Sequence, residues 1–416
     1  MRTLLITGPG GSGRTTTAAA TALTAAREGT RTLLLGTDPT DTLTAVLGTP
    51  VGAGPTEITP RLTARRIDPD TGFRSDLAAL QDRAASALNL LGASRLDPEE
   101  TSPLPGAEEL AVLRALRDTT LPEQPYDLVV VDLPPTSRAL SLLALPEELR
   151  RYLRRLLPSE RQAARALRPV LGRLAGVPLP AEWLYEAAAR LDLQLAAVEA
   201  VLADRDTAVR LVAEPGPAGA DAVRTATLGL ALRGLRTEAL IANRVLPETG
   251  ADAEGWLAGP LAQQRKTLDE WREAYDVHPV AHLGRDPRGA DDLTALAVPG
   301  PGTGRGTPDW PVTDLAHSPP FPHARLRSSG ETPTSGETPT DEDGVLVWHI
   351  PLPGTHRDEL DLIRRGDELI ITAGPFRRAV PLPSALRRCT VDGAALREDE
   401  LRIRFRPDPA LWPRTR

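Results

Sequence analysis

Nine consecutive residues near the start of the chain have the types and spacing to hold phosphate: Gly8-Pro9-Gly10-Gly11-Ser12-Gly13-Arg14-Thr15-Thr16. Glycines let backbone N–H groups turn inward and approach an anion closely. A helix starting after the loop adds the positive end of its dipole. Thr15 stands where a hydroxyl ligates Mg²⁺, and Thr16, one position on, can bond a phosphate oxygen. Arg14 takes the slot where such loops carry lysine, and a guanidinium is larger and planar where an ammonium is a point charge. Lys266 is the one lysine among 49 basic residues. Arginine in place of lysine is therefore the chain's general habit, and Arg14 is expected to contact phosphate. The plain alternative is a glycine turn between a strand and a helix.

Two carboxylates follow at the ends of apolar runs. Asp38 lies in Gly36-Thr37-Asp38-Pro39 and Asp132 in Val131-Asp132-Leu133-Pro134-Pro135. Ligands of doubly wound sheets bind beyond the carboxyl ends of strands, so the loop and both acids are expected in one crevice. There Asp132 can orient Mg²⁺, directly or through water, and Asp38 can orient or deprotonate an attacking water. Either aspartate can instead simply cap a turn.

The elements that must position these residues follow from hydropathy. Residues 3–7 and 32–36, Tyr126–Val131, Val209–Ala213, Thr237–Ala242 and Val277–Leu283 read as short buried strands. Arg14 to about Arg27 is alanine-rich and helical, as are Asp221–Leu232 and Gly255–Glu273. Alternation of apolar strands and helices predicts an α/β fold, a doubly wound, mostly parallel sheet over residues 1–296. An insertion at about 147–206 reads as consecutive helices punctuated by Pro158, Pro169, Pro178 and Pro180. Leu149, Tyr152, Leu153, Leu156 and Leu157 share one face, and Trp183, Leu184, Leu191, Leu195 and Val198 recur through another. These helices either close on their own core or form a groove for an apolar client.

Residues 297–343 are dense in Pro, Gly, Ser and Thr and contain Ser-Gly-Glu-Thr-Pro-Thr twice in tandem; they are expected to be a disordered linker. From residue 344 to 416 the period becomes two, with turns at Arg365-Gly366-Asp367, Ala373-Gly374-Pro375 and Asp392-Gly393. This predicts a small C-terminal all-β sandwich.

Composition removes several function classes. The net charge of −7 gives no overall field favouring nucleic acid. No apolar run approaches the roughly 18 residues of a membrane span, and no leader pattern opens the chain, so a cytoplasmic protein is expected. Cys389 is the lone cysteine and the six histidines show no ligand spacing, which excludes a disulfide framework and a multi-cysteine metal site within the chain.

The loop, the Thr-Asp-Pro segment after strand two and the Asp-x-x-Pro-Thr segment after strand three together resemble the ArsA family, which contains the arsenite-pump ATPases and the targeting ATPases for tail-anchored membrane proteins. Ala242-Asn243-Arg244-Val245-Leu246-Pro247-Glu248 is similar to that family's adenine-side motif. The resemblance spans about residues 1–296. It implies a P-loop ATPase with ATP and Mg²⁺ as cofactors. Gly8, Gly10, Gly11, Ser12, Gly13, Arg14, Thr15 and Thr16 would lie at the phosphates, Asn243 at the base, Thr15 and Asp132 at the metal, and Asp38 with Arg14 in catalysis. It also implies a homodimer and client-binding helices in the insertion, which would take an apolar client protein or membrane-protein segment. The C-terminal segment resembles the α-crystallin-type sandwich appended to some bacterial members.

Departures bear on turnover. The family's second loop lysine, which reaches across the dimer, is Pro9 here; its histidine after Asp-Pro-Ala is Asp41, and its threonine after the strand-three aspartate is Leu133. Arg138 is a candidate replacement charge. Three readings stay open: an ATPase whose nucleotide state gates a client surface, a nucleotide-binding scaffold without useful hydrolysis, and a chaperone-like adaptor. Arsenite transport lacks the sulfur ligands it would need.

Overall fold

The structure is a computed structural model that describes residues 1–38, 40–83, 85, 94–121, 126–157, 182–247, 255–302, 312–314, 345–408 and 410–411. The chain divides into two compact units, residues 1–226 with 235–307 and residues 227–234 with 308–416.

The first unit is built on a sheet of eight strands: β1 (Arg2–Thr7), β2 (Thr32–Gly36), β3 (Thr56–Thr59), β4 (Leu62–Arg66), β5 (Leu128–Asp132), β6 (Thr207–Ala213), β7 (Thr237–Val245) and β8 (Val277–Ala281). Their order is β3-β4-β2-β5-β1-β6-β7-β8, parallel throughout except for the antiparallel β3–β4 edge. Every residue of β2, β5 and β6 is buried, as parallel strands covered on both faces require. The helices are α1 (Arg14–Arg27), α2 (Thr42–Leu47), α3 (Pro69–Arg83), α4 (Ala107–Asp118), α5 (Thr136–Leu156), α6 (Glu182–Leu202), α7 (Pro217–Leu232), α8 (Ala258–Ala274) and α9 (Gly289–Ala295). Helix α1 buries Ala18, Ala19, Ala20, Ala22, Ala25 and Ala26; side chains this small let it lie close on the sheet and carry the glycine loop with it.

Strands β3 and β4 and helices α3 and α4 go beyond the elements expected from hydropathy. The runs Thr-Glu-Ile-Thr and Leu-Thr-Ala-Arg-Arg are too short and polar to stand out, because they form the edge strand and the strand next to it. The helical insertion does not begin at 147, either. Helix α5 runs unbroken from Thr136 through Pro146. Pro146 forfeits one backbone hydrogen bond, but it is buried beside Leu142 and Leu143, and packing carries the helix past it. Helix α6 packs along α5 and α4. Arg150 joins the first pair, its Nε 3.0 Å from Asp192 and its Nη1 donating to Glu199. Pro158, Pro169, Pro178 and Pro180 lie outside the described residues, as do the side chains of Trp183 and Leu184. Leu195 and Val198 are buried, whereas Tyr152 is 48% and Leu156 78% exposed. Among the described residues no helix is long and apolar enough to cross a membrane.

A buried charge cluster sits in the middle of the sheet. Arg210 of β6 is 1% exposed, and its guanidinium donates to Glu238 at 2.9 Å, Thr21 at 2.9 Å, and the carbonyls of Pro299 and Gly300 at 2.8 Å each. These contacts correct the expected start of the linker. Residues 297–302 are anchored to the first unit, with Val298 buried and its carbonyl accepting from Thr24 at 3.0 Å. Linker composition did not reveal this, because the hydrogen bonds use main-chain carbonyls. Residues 303–311 and 315–344 lie outside the described residues; β9 (Val312–Asp314) between them is a strand.

The second unit holds two antiparallel sheets. One has the order β14-β15-β10-β9 and the other β11-β12-β13, where β10 is Leu346–Pro351, β11 Leu360–Arg365, β12 Glu368–Ala373, β13 Phe376–Pro381, β14 Cys389–Arg397 and β15 Glu400–Pro407. Alternate residues point inward: Leu401, Ile403 and Phe405 from one sheet, Leu369, Ile371 and Ala373 from the other. Leu228 and Leu232, within the segment 227–234 that belongs to this unit, are part of the same core. Asp392-Gly393 is a bulge in β14 instead of the expected turn. The hairpin that joins β14 to β15 turns at Glu398 and Asp399, both at positive φ, 48° and 61°. The sequence signal was hidden because neither residue is glycine.

Candidate functional site

The glycine loop leaves β1 at its carboxyl end and opens α1, the context that phosphate loops require. Two of its glycines are irreplaceable on steric grounds. A Cβ on Gly8 would stand 1.9 Å from the Val212 carbonyl oxygen. Gly13 has φ +88°, and a Cβ there would stand 2.2 Å from Asn243 Nδ2. Asn243, at the end of β7 and 7% exposed, donates from that nitrogen to the Ser12 carbonyl at 2.7 Å. The loop is thus tied to β7, two strands away from β1 in the sheet.

The carboxyl ends of β2 and β5 bring Asp38 and Asp132 to the same place. Asp132 is 2% exposed, and its Oδ2 accepts from Thr15 Oγ1 at 2.7 Å. Its backbone carbonyl accepts from Thr37 Oγ1 at 2.7 Å. Burial pushes the Asp132 carboxyl up to about 6; the Thr15 hydroxyl and the Arg14 charge oppose the rise and Asp38 adds to it. Arg14 donates through Nη1 to the Leu133 carbonyl. Burial holds its guanidinium below the ordinary arginine value, against the pull of Asp132 and Asp38. Asp38 Oδ1 accepts from the Thr40 N–H at 2.8 Å and from its hydroxyl at 2.6 Å.

Two clefts flank the loop. The first, of about 280 Å³, is lined by Arg14, Thr15, Thr37, Asp38, Asp132 and Leu133 on one side and by Glu108, Glu109 and Arg138 on the other. The second, of about 240 Å³, is lined by Gly13, Thr16, Asn243 and Arg244 together with residues 281–283 and 285–288. The expected phosphate and metal residues and the expected base residue therefore meet at one loop from opposite sides, with Thr16 on the side of Asn243. Gly8, Gly10 and Gly11 lie in the loop itself.

The donor set suits Mg²⁺. Asp132 Oδ1 is buried with no hydrogen-bond partner, beside a threonine hydroxyl, and hard oxygen donors of this kind plus substrate phosphates are how Mg²⁺ is usually held. Ser12 Oγ is likewise buried and unpartnered inside the loop. Among the described residues no group of three or more His, Cys, Asp or Glu forms a separate metal site.

Over residues 1–297 the sequence matches the family described as anion-transporting ATPases, ArsA, and over residues 343–405 it matches the HSP20-like domain found in ArsA. The chain belongs to the ArsA ATPase family. An uncharacterised protein of Streptomyces coelicolor is 70% identical over 416 residues, 100% of both chains. A putative arsenical pump-driving ATPase of Aquifex aeolicus is 26% identical, covering 97% of this chain and 99% of the relative. An ASNA1-homologue ATPase of Paramecium tetraurelia is 31% identical over 159 residues, 38% of this chain and 47% of the relative.

In this ArsA-family chain, sequence reasoning singled out Arg138 but missed the two glutamates that line the first cleft with it. Glu108 and Glu109 look like ordinary first-turn acids at a helix N-terminus. Arg138 donates to both, at 2.7 Å and 3.2 Å. Thr37, which fixes the backbone of Asp132, was also missed; only its place between Gly36 and Asp38 could have signalled it.

Proposed function

We propose that this ArsA-family protein binds ATP with Mg²⁺ at the glycine loop and hydrolyses the terminal phosphate. The observation that carries the reading is the buried Asp132 carboxylate, hydrogen-bonded to Thr15 on one oxygen and unpartnered on the other, beside a loop in which Gly8 has no room for a side chain and Gly13 sits at positive φ. Thr15 and Asp132 would hold Mg²⁺, which supplies charge neutralisation at the phosphates. Arg14 neutralises phosphate charge from the helix start. Asp38, at the mouth of the same cleft, orients the attacking water and takes up its proton. Asn243 sits in the second cleft and takes the base. We place the protein in the cytoplasm, where ATP and Mg²⁺ are at hand, as a homodimer.

Nucleotide state would act on the helical layer, because α5 starts four residues after Asp132 and packs on α6. Tyr152 and Leu156 on α5 and Leu193 on α6, 48%, 78% and 70% exposed, offer apolar surface to an apolar client segment. Metalloid export is not proposed, since the chain's lone thiol, Cys389, is buried in the sandwich. Binding without turnover is a second reading, favoured by the engagement of Asp38 with Thr40. Phosphate release from ATP with Mg²⁺, run beside Asp38→Asn, tests both. Turnover lost in the variant is expected; equal turnover would remove Asp38 from the mechanism, and none in either would leave the scaffold.

A further inference from the structure

Between Gly8 and Thr16, Arg14 is the one charged side chain, so the loop alone brings a single cation to a ligand with several negative charges. The cleft beyond Asp132 and Leu133 holds one more, Arg138, in the first turn of α5. Its guanidinium is not directed at the loop. It spans the cleft to Glu108 and Glu109, in the first turn of α4. Both glutamates line the same cleft, so they present negative charge to the space into which a terminal phosphate would extend.

From this arrangement we propose that Arg138 is a second phosphate-contacting cation, which Glu108 and Glu109 hold in reserve until ATP arrives. The inference rests on the nucleotide-binding reading above. An exposed ion pair is weak, and Arg138 is 57% exposed, so it is easily released. Guanidinium against phosphate inside a cleft makes charge-assisted, bidentate hydrogen bonds, which are stronger. The terminal phosphate of ATP therefore takes Arg138 from the glutamates, whereas ADP, one phosphate shorter, leaves it with them. Release unties the start of α5 from the start of α4. Both helices pack along α6, so this exchange of partners links the terminal phosphate to the helical layer.

The test is calorimetric titration of ATP and of ADP, each with Mg²⁺, into the full chain and three variants. Arg138→Ala is expected to lose about tenfold in ATP affinity while ADP affinity holds, the loss corresponding to one charged hydrogen-bonding group. Arg138→Lys is expected to recover part of it. Glu108→Gln with Glu109→Gln is expected to bind ATP more tightly than wild type. A merely structural role would weaken both nucleotides equally. If Arg138→Ala leaves the ATP-to-ADP affinity ratio unchanged, or the double glutamine variant binds ATP as wild type does, the inference falls and the nucleotide-binding reading stands. If wild type binds neither nucleotide, both fall.

Discussion

The first unit buries charge in two places, and the two are finished differently. At mid-sheet, Arg210 and Glu238 are 1% and 3% exposed at the side chain and pair directly at 2.9 Å; Thr21 and two main-chain carbonyls take the other guanidinium hydrogen bonds, while Arg210 Nε and Glu238 Oε2 have no hydrogen-bond partner. At the carboxyl end of the sheet, Asp132 is as deeply buried, yet the hydrogen bond to its carboxylate comes from the neutral hydroxyl of Thr15, its other oxygen has no partner, and its carboxyl is pushed up to about 6. A buried charge held directly against its opposite is costly to separate from it. A buried charge without an opposite charge beside it costs stability in the free protein, and on the proposed reading a cation completes it.

Breaking the mid-sheet pair should have the largest effect. Glu238→Ala strands Arg210 without its counter-charge and should lose about 3–5 kcal/mol in urea denaturation. A loss below about 1 kcal/mol, the scale of an exposed pair, would show that water reaches Arg210.

The open site should respond with the opposite sign. The unfolded carboxyl titrates near about 3.9 and the folded one at about 6. Between these values the folded state binds more protons than the unfolded state, so this group's contribution makes stability fall as pH rises through the window. Asp132→Asn in metal-free buffer should therefore be more stable than wild type above about pH 6, by up to about 3 kcal/mol. The advantage should shrink to nothing as pH falls below about 4. Thermal melts in chelator across that range measure it; a variant less stable than wild type at pH 8 would show that the carboxylate is satisfied after all.

The same contrast explains what the amino-acid sequence discloses. The geometry of the open site was legible because its parts are punctuation: a run of glycines, Gly8 and Gly13 among them, and aspartates at the ends of leucine and valine runs. The central strands were legible because burial on both faces leaves little but Leu, Val and Ala. The mid-sheet pair was not, since Arg210 lies inside an apolar strand and its partners come from α1, from β7 and from a Pro-Gly segment that reads as linker. Edge strand β3 and its neighbour β4 carry threonine, glutamate and arginine, which the half-exposed margin of the sheet tolerates. The latch of Glu108, Glu109 and Arg138 joins first turns 29 and 30 residues apart, a separation that only the fold brings together.

The most direct test of the central claim is ATP titration into wild type and Asp132→Asn, each with Mg²⁺ and with chelator. If Asp132 completes a Mg²⁺ site with Thr15 and the phosphates, Mg²⁺ tightens ATP binding to wild type and makes little difference to the variant. If Mg²⁺ tightens both equally, or neither, Asp132 does not hold the metal and the half-satisfied carboxylate has another purpose.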